Sequence, residues 1–315
     1  MNIVPIVFAF DKNLAFPAEI CICSLLSHAK SETFYDIYIL NSSQLELELS
    51  AFDTKRIQST YPRCKFTFIT VGESFSGSYE IRDITNVTYY RLLIPKLIPE
   101  YDKIVYSDVD VIFRDDLSEV YNSTIFDKEY IAGVRALSHK ISGYANYYRN
   151  KLRIPPEDII YAGNIIINSK QIREDGLVDV FCEMATKKFC FQDMDIINIV
   201  CQGRIKYLKP LFCVTTYFMD FSVNDVDGLK QYWTSEDIYE ALRTGIVHYN
   251  GQKPWKGWCL NFDIWWEYYR KSPFYDEKFY FDFFYNKLNE HDQLPLWKRV
   301  KILLRYFVFG RQQSR

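Results

Sequence analysis

Three short apolar runs near the N-terminus, each separated from the next by a helix-length stretch, limit the folds open to this chain more than any other feature. Residues 3–10, 35–40 and 65–71 have strand lengths and are rich in β-branched and aromatic side chains. Between them the pattern predicts an apolar helix over 18–28 and a polar helix over 44–60. Strands alternating with helices at this spacing build a doubly wound α/β sheet, which binds its ligands beyond the carboxyl ends of the strands. No Gly-x-Gly-x-x-Gly follows the first run, where Asp11, Lys12 and Asn13 stand instead, so the dinucleotide fingerprint is absent.

A fourth apolar run, residues 101–113, is interrupted by Asp108 and Asp110. Alternation along a strand sends both carboxylates to one side. Two hard oxygen donors at a strand end suit Mg²⁺ or Mn²⁺, which bridges the phosphates of a nucleotide, although the same tripeptide also occurs as a solvated turn. Arg91 lies in an otherwise apolar helix over 88–97 and needs an anionic partner, either a structural carboxylate or a ligand phosphate or sugar. Residues 130–135 and 159–168 read as further strands, and Gly163 in the second lets another group approach the backbone closely. The polar, tyrosine-rich stretch 136–157 between them reads as a long loop or lid. A helix opens at Gln192, where Asp193 serves either as a cap or as a ligand-binding carboxylate.

A chain of 315 residues with net charge −2 has room for one large domain, 1–257, and a smaller helical extension, 258–315, and carries no basic field for nucleic acid. The 8 cysteines show no Cys-x-x-Cys spacing, which leaves zinc and disulfide frameworks unsupported and makes them core thiols. Neither a leader sequence nor an apolar segment of about 20 residues is present, so the expected location is the cytoplasm. The extension is aromatic and then basic: Lys298, Arg299, Lys301, Arg305 and Arg311 interleave with Trp297, Leu303 and Phe307. Such a segment suits a helix lying in an anionic membrane interface, and equally a helix packed on the domain with its cations in water.

Tyr89-Tyr90-Arg91-Leu92-Leu93 followed by Ser107-Asp108-Val109-Asp110 resembles the donor-binding core of glycosyltransferase family 8. Asp11 and Asn13 after the first strand, the Ala162-Gly163 pair, the Asp193-Met194-Asp195 segment with Asn198, and His248, Gly251, Lys253, Pro254 and Trp255 extend the resemblance over roughly four-fifths of the chain. It implies a GT-A type fold, a mixed Rossmann-like sheet that binds a nucleotide sugar, and a retaining transferase. It also implies a metal site of Asp108, Asp110 and His248 for Mn²⁺, with Mg²⁺ as the alternative. Asp11 and Asn13 would contact uridine, Gly251 and Lys253 the diphosphate, and Asp193 the donor sugar, together with Val109 and either Tyr161 or Asn164. Arg91 would face the donor, and Asp193, Lys253 and Arg91 would be the catalytic set. The chain departs from the family pattern at Leu14, Arg135, Tyr161 and Met194, and a thioether at 194 cannot serve as a nucleophile. The function implied is transfer of glucose or galactose from a UDP-sugar to a saccharide or lipid-linked glycan, as in lipopolysaccharide synthesis, at the inner face of the cytoplasmic membrane. Two other readings are a non-catalytic nucleotide-sugar binder and a haloacid-dehalogenase-type phosphatase, whose nucleophile motif also resembles the Asp108–Asp110 segment.

Overall fold

A computed structural model describes residues 2–42, 52–72, 74–75, 78, 86–140, 142–290 and 293–309. Strands β1 (Asn2–Ala9), β2 (Thr33–Asn41), β3 (Cys64–Thr70), β4 (Ile104–Ser107), β5 (Val111–Ile112), β6 (Ile131–Arg135), β7 (Ile160–Ile167), β8 (Ile205–Tyr207), β9 (Val214–Thr215) and β10 (Val247–His248) form two sheets. The larger is seven-stranded, in the order β3-β2-β1-β4-β7-β6-β8, and the smaller is β5-β10-β9. β1, β2, β3 and β4 are mutually parallel, whereas β7 runs against both β4 and β6, so the sheet is mixed. The chain builds outward from β1 to β3 and then returns to place β4 on the other side of β1. This reversal opens a crevice at the carboxyl ends of β1 and β4.

The predicted helix over 18–28 forms as Ala15–Ser27, buried almost throughout because it is apolar on every side rather than along one stripe. Only Thr54–Thr60 of the predicted helix over 44–60 is seen, and residues 43–51 lie outside the described residues. The helix over 88–97 is a 3-10 segment, Asn86–Leu93, continued by one α-turn, Ile94–Leu97.

Two expectations are corrected. The run 101–113 is not one strand: β4 ends at Ser107, the chain bends through Asp108 to Asp110, and β5 leaves for the smaller sheet. The stretch 136–157 is not an open loop but a chain of short helical turns closed over a small core of Ala136, Tyr148, Ile154 and Ile159. Enough apolar side chains recur within it to bury one another, which its polar average concealed.

By its contacts the chain divides into Met1–Pro273 and Phe274–Arg315. The helix Phe262–Lys271, assigned above to the extension, therefore belongs to the first unit. It buries Trp265, Trp266 and Tyr269, and Phe16 packs edge-on against Trp265 and Tyr269. The second unit holds the helices Glu277–Asn289 and Leu296–Phe309, and Arg311 lies outside the described residues. Among the described residues no helix is long and apolar enough to cross a membrane.

Candidate active site

The bend between β4 and β5 sets the site. β10 pairs antiparallel with β5, matching His248 to Val111, and Tyr249 N–H extends this ladder to the Asp110 carbonyl at 2.9 Å. Asp108 therefore stays with the larger sheet while Asp110 and His248 come from the smaller. Their convergence follows from the bend and this pairing rather than from strand alternation.

Each carboxylate has one oxygen held by a cation and one turned toward the imidazole. Arg91 Nη2 and Tyr106 OH both bond Asp108 Oδ1 at 2.8 Å, and Lys253 Nζ binds Asp110 Oδ2. The remaining oxygens face His248 Nε2, Asp108 Oδ2 at 3.6 Å and Asp110 Oδ1 at 3.1 Å. One ligand atom from each residue lies within 4.8 Å of the others, so the three fit a single divalent cation. Burial favours a neutral His248 ring, but the Asp110 carboxylate outweighs it and raises the imidazole to about 10. Burial likewise opposes ionisation of Asp110, and Lys253 and His248 nevertheless hold it well below the usual carboxylate range. A cation held here would need the neutral ring, so its uptake would displace a proton.

β7 is irregular beside this cluster. Gly133 of β6 faces Ile165, whereas Arg135 faces Ile160, which leaves Tyr161 to Asn164 without partners in β6, although Asn164 still pairs with Ser107 of β4. Against β4 the register of β7 is unbroken: Ser107 faces Asn164, and the ladder continues to the Gly163 carbonyl, which accepts the Asp108 N–H at 2.7 Å. A Cβ on Gly163 would lie 2.3 Å from His248 Cε1 and 2.7 Å from Asp108 Oδ2, so the group that approaches this backbone is the ring of the candidate ligand itself. Tyr161 sets its ring edge-on to His248, with centroids 5.6 Å apart. Asn164 is buried and its Oδ1 has no hydrogen-bond partner among the described residues.

Arg91 is 7 % exposed and spans two carboxylates, Asp108 and, through Nε at 3.1 Å, Asp193 Oδ2. Its Nη1 donates to the Ala162 carbonyl at 2.7 Å, and its guanidinium lies 4.2 Å above the Tyr106 ring. The structural alternative for this arginine is thus realised in protein contacts. Asp193 sits at the start of the helix Gln192–Val200, where burial raises its pKa against the opposing pull of Arg91, and Thr88 Oγ1 donates to it at 2.6 Å.

Asp11 and Asn13 lie at the crevice end of β1 but bond each other: Asp11 Oδ1 accepts Asn13 N–H at 2.9 Å and caps the 3-10 turn Lys12–Leu14. Val109 is buried in the bend, and Gly251 is exposed with 3.8 Å between a built Cβ and its nearest neighbour, Thr216 Oγ1. Arg135 binds Asp158 and stacks 3.5 Å above the Tyr207 ring. Met194 packs into the core beside the helix start. Tyr106 bonds Asp108 and Cys213 faces His248, while Thr88 bonds Asp193 and Asn250 bonds Tyr161; none of these four was foreseen. Only Tyr106, two positions before Asp108 on an alternating strand, carried a readable signal.

Residues 5–259 match the family described as Glycosyl transferase family 8. The chain belongs to this family. Among curated relatives, it is 24% identical over 294 residues to a putative glycosyltransferase of Haemophilus influenzae, covering 85% of this chain and 84% of that one. It is also 24% identical over 299 residues to general stress protein A of Bacillus subtilis, covering 89% and 93%. Among solved structures, the galactosyltransferase LgtC, in complex with donor and acceptor sugar analogues, matches with a TM-score of 0.68 and 22% identity over 88% of this chain and 99% of that one. WbbM, a bifunctional glycosyltransferase, matches with a TM-score of 0.69 and 24% identity over 89% of this chain and 51% of that one. These likenesses identify the fold as GT-A type, and family membership makes the chain a glycosyltransferase. The phosphatase reading falls with that assignment.

Proposed function

We propose that this family 8 glycosyltransferase is a divalent-cation-dependent, retaining hexosyltransferase that moves glucose or galactose from a UDP-sugar to a saccharide acceptor of a surface glycan or lipopolysaccharide. The observation that carries the reading is the division of labour at the two aspartates, whose outer oxygens are held by Arg91 and Lys253 while their inner oxygens converge with His248 Nε2. Asp108, Asp110 and His248 would hold Mn²⁺, favoured over Mg²⁺ by the imidazole nitrogen. Such a cation supplies positive charge for the diphosphate as the glycosidic bond breaks.

The chain's own residues would do the rest. Lys253, the only ammonium paired with the cluster among the described residues, turns from Asp110 to the phosphates as a point charge. Asp193, oriented by Arg91 and Thr88, accepts hydrogen bonds from the sugar hydroxyls. Arg91 contributes by holding Asp108 and Asp193 at fixed separation. Tyr161 or Asn164 completes the sugar contacts, Gly251 and Val109 bring backbone to the diphosphate, and Asp11 and Asn13 meet the uracil by exchanging their mutual hydrogen bond for it. Because Met194 offers no carboxylate, the acceptor hydroxyl attacks the anomeric carbon from the face the diphosphate leaves, forming the new C–O bond as the old one breaks. Its proton passes to the departing phosphate oxygen.

UDP release from a panel of UDP-sugars with Mn²⁺ tests the reading. A single hexose should be turned over, with activity lost in excess chelator and in Asp110→Ala. Release that persists under either condition refutes the cation requirement, and a protein that binds UDP with Mn²⁺ but turns over no sugar is the non-catalytic binder.

The helix Leu296–Phe309 carries the membrane part of the proposal. Its Trp297, Leu303, Leu304 and Phe307 are exposed beside Lys298 and Lys301, and each basic residue near an anionic surface contributes on the order of 1 kcal/mol. The acceptor would then be lipid-linked at the cytoplasmic face. Full-length protein should co-sediment with anionic liposomes at low salt, and a chain truncated after His291 should not. Protein that stays in the supernatant refutes the attachment.

A further inference from the structure

The second ring nitrogen of His248 lacks the strong acceptor that a metal-binding imidazole usually has. A ligating histidine commonly donates its second ring nitrogen to a carboxylate or a backbone carbonyl, which fixes tautomer and plane. Here Nδ1 faces the Cys213 thiol at 3.7 Å, a weak partner that constrains the ring little. Beyond the contact of Nε2 with Asp110, the ring plane therefore depends on packing against Tyr161 and the Gly163 backbone. Tyr161 is itself fixed from outside the cluster. Asn250 Oδ1 accepts the Thr216 N–H at 2.9 Å, and a backbone N–H can be met only by the amide oxygen, so Nδ2 is the atom that donates to the Tyr161 hydroxyl. Thr216 opens the helix Thr216–Asn224, and Thr215 before it pairs with His248 in the smaller sheet. One amide thus ties β7, the start of the helix after β9, and the segment that leads from His248 of β10 to Lys253.

We infer that Asn250 and Tyr161 form a positioning pair that sets the plane of His248, and through it the affinity of the site for a divalent cation. The inference rests on the reading that Asp108, Asp110 and His248 hold that cation. It predicts that the pair acts as one unit: breaking the contact from either side frees the same ring.

The test is Mn²⁺ binding by the full-length protein, by titration calorimetry, with Mn²⁺ alone and with Mn²⁺ plus UDP. Tyr161→Phe keeps the ring and its volume, so any loss reports the hydroxyl contact rather than a packing defect, and Asn250→Ala removes the other side. Each should weaken Mn²⁺ binding about ten-fold, as loss of an outer-shell partner does. The double variant should be no weaker than the worse single one. The inference is overturned if Tyr161→Phe binds Mn²⁺ within about two-fold of wild type, or if the two losses multiply in the double variant. A lowered melting temperature with unchanged Mn²⁺ affinity also overturns it, because that is all a purely structural contact would produce. Wild-type protein that takes up no Mn²⁺ removes the cation reading itself and this inference with it, an outcome separable from the others because it appears before any substitution is made.

Discussion

Gly163→Ala adds one methyl group at the most crowded point of the site. The new Cβ would stand 2.3 Å from His248 Cε1 and 2.7 Å from Asp108 Oδ2, both well inside van der Waals contact. Neither neighbour can yield freely. His248 is 3 % exposed and wedged among Asp110, Cys213 and Tyr161, while Asp108 is tied to Arg91 and, through its backbone, to Gly163 itself. Overpacking of this kind costs about 1–3 kcal/mol. For a chain of this size that corresponds to a fall in melting temperature of roughly 1.5–4.5 °C. Displacing the imidazole should also damage the donor set. In wild type, Mn²⁺ at a hundred times its dissociation constant should add about 2.7 kcal/mol of stability. A ten-fold loss of affinity removes about 1.4 kcal/mol of that gain. Differential scanning fluorimetry with and without Mn²⁺ reads both effects. A variant that melts within about 1 °C of wild type and keeps the full Mn²⁺ shift would show that the backbone at 163 does not press on the ring, and the account of the site would be wrong.

Two other outcomes follow from the buried charges. Arg91→Leu strips the shared cation from Asp108 and Asp193, and urea unfolding should show a loss of about 3–5 kcal/mol, partly recovered by Lys, which supplies charge without the fork; a loss below about 1 kcal/mol would contradict the bridging role. Burial raises Glu19 from 4.5 to about 7. Between those values the folded protein keeps a proton that the unfolded chain has released, so stability falls as pH rises through that window, by up to about 3 kcal/mol. Glu19→Gln should flatten the profile there, and an unchanged slope would refute the assignment.

Much of the fold was legible because strand and helix periods are local signals. The β1, β2, β3 and β7 runs were readable from apolar content, and the alternation of the first three with helices was enough for the doubly wound α/β class, while the mixed sheet was implied only by the family resemblance. The candidate cluster was legible for a different reason: Asp108, Asp110, His248 and Lys253 are chemically conspicuous residues in a recognisable family pattern. What brings them together was not legible. The bend after Ser107 and the two-residue strands β5, β9 and β10 are too short to leave a periodic trace, and the pairing of Val111 with His248 joins residues far apart in sequence. Arg91 shows the same limit: the residues demanded an anionic partner and the resemblance pointed it at the donor, but its contacts with Asp108 and Asp193 are made by tertiary packing that no local pattern carries. Nor did any local rule mark Asn250, whose importance lies wholly in what it touches.

The candidate ligand atoms belong to two layers that share no strand: Asp108 closes the larger sheet, and Asp110 and His248 ride on the smaller one. A ligand that grips all three is therefore a fastening between layers, and its binding free energy opposes the peeling away of the smaller sheet. Three two-residue strands offer few hydrogen bonds of their own against such opening. Protection from hydrogen exchange at β5 and β10 should thus track cation concentration while the β1–β3 core stays indifferent to it, so that the stiffness of this corner belongs to the liganded protein more than to the polypeptide.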